Sequence, residues 1–153
     1  MRIIGGNLKG RSIDFIKSNL TRPLKDSVRE NIFNILEHSK EIDINIKKSK
    51  ILDIYSGVGS FGLECISRGA NFVTFVENST DALAFLKKNL SSLSISRQAE
   101  IISCNFTDLK ITNKKNRYNI FFLDPPFKDK EYIFNLSKIK KEKIFTKKHI
   151  III

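Results

Sequence analysis

From residue 51 onward the hydrophobic positions fall into short, nearly unbroken runs separated by stretches of helical spacing. Ile51-Leu52-Asp53-Ile54-Tyr55, Asn71 to Val76, Ala99 to Ser103 and Asn119 to Leu123 read as four strands, and His149 to Ile153 as a fifth. A Gly-rich turn and a helix through about Ser67 follow the first strand. Ser79 is placed to cap the next helix, which carries Leu83, Leu86 and Leu90 on one face, and a further helix spans about Lys130 to Lys138. Strands without polar alternation, joined by helices, predict a parallel sheet covered on both faces. The fold class is α/β, doubly wound.

The first fifty residues follow another rhythm. Arg2-Ile3-Ile4, a Gly5-Gly6-Asn7 turn and Ser12-Ile13-Asp14-Phe15 predict a hairpin within 2–16. Residues 27–38 predict a helix, with Ser27 and Glu30 as a capping box and Val28, Ile32, Ile35 and Leu36 on its apolar face. A polar, Lys-rich stretch near 39–50 reads as a linker. The expected organisation is an arm over 1–45 and a main domain over 46–153.

At 153 residues and 41% hydrophobic, the chain has enough material for one core without disulfides or a metal. No apolar run approaches the roughly 20 residues of a membrane span, and the N-terminus lacks the long apolar stretch of a secretory signal. Cys65 and Cys104 lie among apolar neighbours and read as buried thiols in preference to a bridge or a metal pair. A cytoplasmic protein that avoids membranes is expected. The formal charge of +11 is unevenly spread. Residues 1–50 carry 11 basic and 6 acidic side chains, 51–127 carry 8 and 7, and 128–153 carry 8 and 3. A nearly neutral body between basic flanks suits a polyanionic substrate.

The candidate chemistry collects after the strands. Asp53 ends the first, four residues before Gly57-Val58-Gly59, where glycines let the backbone turn tightly and approach a ligand at a helix N-terminus. Glu77 ends the second, where a carboxylate can accept both hydroxyls of a ribose. Either NAD or S-adenosylmethionine carries such a ribose. Asn105 and Phe106 follow the third, placed for an adenine edge and face. Asp124-Pro125-Pro126-Phe127 follows the fourth. Its prolines stiffen the backbone and remove two N–H donors, so the Asp124 carboxylate and the Pro125 carbonyl suit a planar –NH2 group. Phe127 offers a face for stacking a base.

Asp53…Gly57-Val58-Gly59, Glu77 and Asp124 to Phe127 resemble the motifs of class I, Rossmann-like S-adenosylmethionine-dependent methyltransferases that modify exocyclic or amide nitrogens. Arg2-Ile3-Ile4-Gly5-Gly6, Lys9-Gly10-Arg11, Arg22-Pro23, Val28 to Leu36 and Ser67-Arg68-Gly69-Ala70 resemble, more narrowly, the bacterial 16S rRNA guanine-N2 methyltransferase family. That resemblance implies a doubly wound, mostly parallel sheet with a hairpin-helix arm. It also implies methyl transfer to guanine N2 of 16S rRNA, within a small-subunit particle, by a monomer that needs no metal and releases S-adenosyl-L-homocysteine. By the same analogy Asp53, Gly57 and Gly59 contact the amino-acid end of the methyl donor, Glu77 its ribose, and Asn105 and Phe106 its adenine. Asp124, Pro125, Pro126 and Phe127 hold the flipped guanine, and Arg2, Arg11, Arg22 and Arg29 touch RNA. Leu24 stands where the family has Thr, and the family continues past the strand at 149–153 with a hairpin. A missing C-terminal portion is therefore expected.

Other readings of the same residues are adenine-N6 methylation of DNA or RNA and an inactive, truncated RNA-binding remnant. A NAD-dependent oxidoreductase would leave Asp124 to Phe127 without a role. Protein glutamine methylation would call for Asn at 124.

Overall fold

Strand β1 (Lys50–Ile54) sits at the centre of the sheet because both its faces are apolar: Ile51, Leu52 and Ile54 are each at most 1% exposed. The computed structural model describes residues 1–15, 24–109, 117–126 and 132–153. After β1 come α2 (Ser60–Ser67), β2 (Phe72–Glu77), α3 (Thr80–Ser92), β3 (Ala99–Ser103), β4 (Tyr118–Leu123), α4 (Tyr132–Glu142) and β5 (Phe145–Ile152). All pairings within the five-stranded sheet are parallel, in the order β3-β2-β1-β4-β5. The chain winds outward from β1 through β2 to β3, then returns to β1's other side as β4. That reversal opens a crevice at the carboxyl ends of β1 and β4, where ligands of such sheets bind.

Alternate residues of each strand feed two cores. Ile51, Val73, Phe75, Ile120 and Phe122 pack against α2, α3 and the N-terminal arm, whereas Leu52, Ile54, Val76, Phe121 and Leu123 pack against α4. Ser79 caps α3 by accepting the Ala82 N–H, and Leu83, Leu86 and Leu90 are buried as the spacing predicts. Strand β5 begins at Phe145, earlier than the expected His149, because Phe145 pairs with Tyr118 ahead of an irregularity in the ladder.

The arm departs from expectation in detail. Its hairpin is one antiparallel bridge, Arg2 to Ser12, closed by a 3-10 turn at Gly6–Leu8 instead of a tight turn at Gly5-Gly6-Asn7. Helix α1 (Asp26–His38) starts one residue early, and its N-cap is Lys25, so Ser27 and Glu30 lie inside the helix and form no capping box. Its buried face is Arg29, Phe33 and Leu36, while Val28 and Ile35 are 42% and 55% exposed. The aromatic rings explain that rotation. Phe33 stacks on Phe61 of α2 at 5.2 Å, and Phe61 stacks on Phe122 of β4 at 4.0 Å. Ile3, Ile13, Phe33 and Leu36 thereby join the core of the main sheet. In the stretch read as a linker, Ile46–Lys48 forms a short 3-10 turn with Ile46 buried. Among the described residues no helix is long and apolar enough to cross a membrane.

Candidate functional site

Parallel strands deliver Asp53, Glu77, Asn105 and Asp124 to one edge. Ile54 pairs with Val76 and with Leu123, and Glu77 pairs with Ser103, so the loops leaving β1 to β4 start at the same level. The loop after β1 turns through Tyr55 (φ 60°), Gly57 (φ 56°) and Gly59 (φ 87°). A Cβ at Gly59 would lie 2.5 Å from Leu86 Cδ1, so this glycine sets how closely the loop packs on α3. A Cβ at Gly57 would meet no atom within 4 Å, which leaves its backbone accessible from the crevice.

Glu77 ties the two central strand ends together. Its Oε2 accepts the Gly57 N–H at 2.7 Å, and its Oε1 accepts the N–H groups of Asn78 and Ser79 at 2.9 and 2.8 Å. Asn78 donates from Nδ2 to Asn105 Oδ1 at 2.6 Å, extending the network to the end of β3. Phe106 is 3% exposed beneath Lys138, whose Nζ lies 5.5 Å from the ring centroid. Glu77, Asn78, Asn105 and Phe106 border a small, half-open pocket lined also by Tyr55, Cys104 and Asn135. Both cysteines are free, Cys65 buried as expected but Cys104 only half-buried, because it stands at the open end of β3.

Asp53 is 1% exposed. Its Oδ2 accepts the Gly62 N–H in the first turn of α2 at 3.0 Å, while Oδ1 has no partner. Burial pushes its pKa up from 3.8 to about 8, and the charges of Asp124 and Glu77 add to that, against the pull of the Gly62 hydrogen bond. The folded chain then holds this proton more tightly than the unfolded chain does. Stability is accordingly greatest below about pH 4 for this group and falls as pH rises towards about 8. Denaturant titrations across that window should show a shallower slope in Asp53→Asn, which keeps an acceptor for Gly62 N–H but does not titrate. An unchanged slope would assign the pH dependence to other groups.

Asp124 is exposed at the end of β4, and partial desolvation raises its carboxyl above the ordinary range. Pro125 and Pro126 follow it, half-buried and exposed. Phe127 and Arg22 lie outside the described residues. Of the arm's remaining arginines, Arg2 and Arg11 are exposed, and Arg11 donates to the Ser92 carbonyl at 3.0 Å.

Arg29 is the correction. It is 0% exposed, donating to the Arg2 carbonyl at 2.6 Å and to Asp26 at 2.8 Å, with Glu64 Oε2 at 4.0 Å from its Nε. Its guanidinium is enclosed within the protein and does not face an RNA.

Three buried polar atoms of the crevice region have no protein partner: Asp53 Oδ1, Ser56 Oγ and Asn135 Oδ1. Such groups are costly unless something satisfies them. Together with the open Gly57 backbone they fit a polar ligand laid across the ends of β1 and β2. Asn135 and Tyr55, whose hydroxyl accepts from Asn135 Nδ2 at 2.8 Å, were not singled out by the sequence. The one available signal was a polar residue four positions before Ile139, on the face of α4 that is buried. Among the described residues, no cluster of three or more His, Cys, Asp or Glu could hold a metal ion.

Residues 1–153 match the protein family described as conserved hypothetical protein 95. The chain is 41% identical over 128 residues to the ribosomal RNA small subunit methyltransferase D of Buchnera aphidicola subsp. Baizongia pistaciae, covering 84% of this chain and 62% of that protein. It is 39% identical over 140 residues to the protein of the same name from Haemophilus influenzae, covering 90% and 67%. Among solved structures, yhhF of Escherichia coli, a protein assigned as a methyltransferase, superposes with a TM-score of 0.82 at 29% identity, over 99% of this chain and 77% of that one. The chain thus spans 62% and 67% of the length of the two curated relatives.

Proposed function

Because this chain belongs to the conserved hypothetical protein 95 family, we propose that it transfers a methyl group from S-adenosyl-L-methionine to the exocyclic N2 of a guanine in 16S rRNA of the small subunit. The relatives' names support small-subunit rRNA as the substrate. The observation that carries the choice of an amino group is Asp124-Pro125-Pro126, held at the end of β4 beside the Gly57–Gly59 loop. In this reading residues 1–45 are the RNA-binding arm and 46–153 the transfer domain, acting as a monomer on an assembling particle.

The partnerless atoms and open backbone at the ends of β1 and β2 suit the methyl donor. Asp53, Gly57 and Gly59 would hold its amino-acid end, Glu77 its ribose, and Asn105 and Phe106 its adenine. When bound, the donor supplies an electrophilic methyl group with sulfur as the leaving group.

The chain's own task is alignment. The Asp124 carboxylate and the Pro125 carbonyl accept the two N–H bonds of the guanine amine, turning its lone pair out of conjugation. Phe127 stacks on the base. A strong base is unnecessary, because nitrogen becomes acidic as it is alkylated, and Asp124 or water can take the proton. The guanine must leave its stack, at about a few kcal/mol, less if it lies in an exposed loop. Arg2, Arg11 and Arg22 meet the phosphates, while Arg29 acts from inside by fixing the arm.

Radiolabelled donor incubated with small-subunit particles lacking the modification should yield N2-methylguanosine after nuclease digestion, in excess over naked 16S rRNA. N6-methyladenosine would move the reaction to the adenine-amine class. Cofactor and RNA binding without transfer would make this chain a binding remnant.

A further inference from the structure

The α4 side chain Asn135 is 1% exposed, and its two polar atoms are treated differently. Nδ2 donates to the Tyr55 hydroxyl at 2.8 Å, whereas Oδ1 has no partner at all. A buried amide oxygen left bare is costly, and Asn135 lines the small pocket that Glu77, Asn105 and Phe106 also line. The Tyr55 bond fixes the amide plane. Tyr55 itself is set by the positive-φ turn leaving β1, so the oxygen's position is coupled to the loop that would grip the donor.

We propose that Asn135 determines nucleobase specificity in this pocket, its Oδ1 accepting a hydrogen bond from the exocyclic amino group of a bound adenine. This rests on the reading of the site as one for an adenosyl donor. Such a donor offers three kinds of N–H or O–H. Its ammonium is matched by the Asp53 carboxyl, and its ribose hydroxyls by Glu77. The adenine amine needs a neutral acceptor near the ends of β2 and β3, and Asn135 Oδ1 is the buried acceptor there without a partner.

The test is calorimetry on the full chain with S-adenosyl-L-homocysteine and S-inosyl-L-homocysteine, which carries a carbonyl in place of the amine. The wild type should bind the adenosyl compound about tenfold more tightly, the effect of one buried hydrogen bond against two opposed acceptors. Asn135→Leu should erase that preference by weakening the adenosyl compound and leaving the inosyl compound unweakened or tighter. Asn135→Asp, which keeps an acceptor at nearly the same volume, should retain it. Equal weakening of both ligands in Asn135→Leu, or a wild type without preference, would reduce Asn135 to a packing residue. Failure of the wild type to bind the adenosyl compound would instead remove the donor reading, and this assignment with it.

Discussion

Glu64→Ala should lower the unfolding free energy by about 3–5 kcal/mol, the cost of breaking a buried ion pair and leaving its N–H donors unmet. Glu64 is 0% exposed on α2, yet its carboxylate is fully used. It accepts the backbone N–H groups of Ile4 and Gly5 at 2.8 and 2.7 Å and the Arg68 Nε at 2.9 Å, with Arg29 Nε at 4.0 Å. Arg68 in turn pairs with Glu37 of α1 at 2.8 Å and lies over the Phe33 ring at 4.5 Å. Ser67 closes the arrangement, accepting from Leu8 N–H and donating to the Gly5 carbonyl. Removing the carboxylate strands two N–H groups and takes the nearby charge from Arg29, whose Nε and Nη1 already lack hydrogen-bond partners. Chemical denaturation should show the shift in midpoint, and amide exchange should quicken first at residues 4–8. A loss of under about 1 kcal/mol, the value of an exposed pair, would mean that the network is solvated in practice.

The same contacts explain why the arm cannot be treated as a detachable module. Helix α2 carries the Gly57–Gly59 loop at its N-terminus and receives the arm on Glu64 and Ser67 near its C-terminus. On the proposed function, an RNA contact made through the arm would be referred to the donor loop through one short, largely buried helix. The aromatic stack Phe33–Phe61–Phe122 runs alongside and joins α1 to β4, the strand that ends in Asp124.

This also marks what was legible in the sequence. The sheet was, because β1, β2 and β4 advertise two buried faces through nearly unbroken apolar runs, and α3 through a Ser cap and a leucine stripe. Glu77 was placed at the right strand end by its distance from the Gly loop. Its hydrogen bond to Gly57 N–H, across 20 residues of sequence, was not visible there. Arg29 failed for a physical reason. An arginine on a basic arm reads as a surface cation, and only the fold brings a carbonyl and two carboxylates close enough to bury it. Glu64 and Asn135 are the same case. Polar residues in helices look solvated until partners far away in sequence, such as Ile4 or Tyr55, arrive.

Asp124→Ala should reduce methyl transfer by about 10³-fold or more while leaving donor affinity within about twofold, because orientation of the acceptor amine is lost and the donor's contacts are not. The two proposed roles fall to residues on different strand ends. Gly57 and Glu77 are joined by a backbone hydrogen bond on the β1–β2 side of the crevice, and Asp53 is tied there to Gly62 N–H, whereas Asp124 stands exposed at the end of β4. Its raised pKa sharpens the expectation. Only the ionised carboxylate offers acceptors alone, so transfer should fall as pH drops through a value above the ordinary aspartate range. That acid limb should vanish in Asp124→Asn, which keeps one acceptor oxygen and hence a residual rate above that of the alanine variant. Single-turnover transfer to small-subunit particles across pH, paired with calorimetry of the donor, separates the possibilities. Parallel loss of transfer and donor binding would relocate Asp124 to the donor site. An unaltered acid limb in Asp124→Asn would assign the titration to another group.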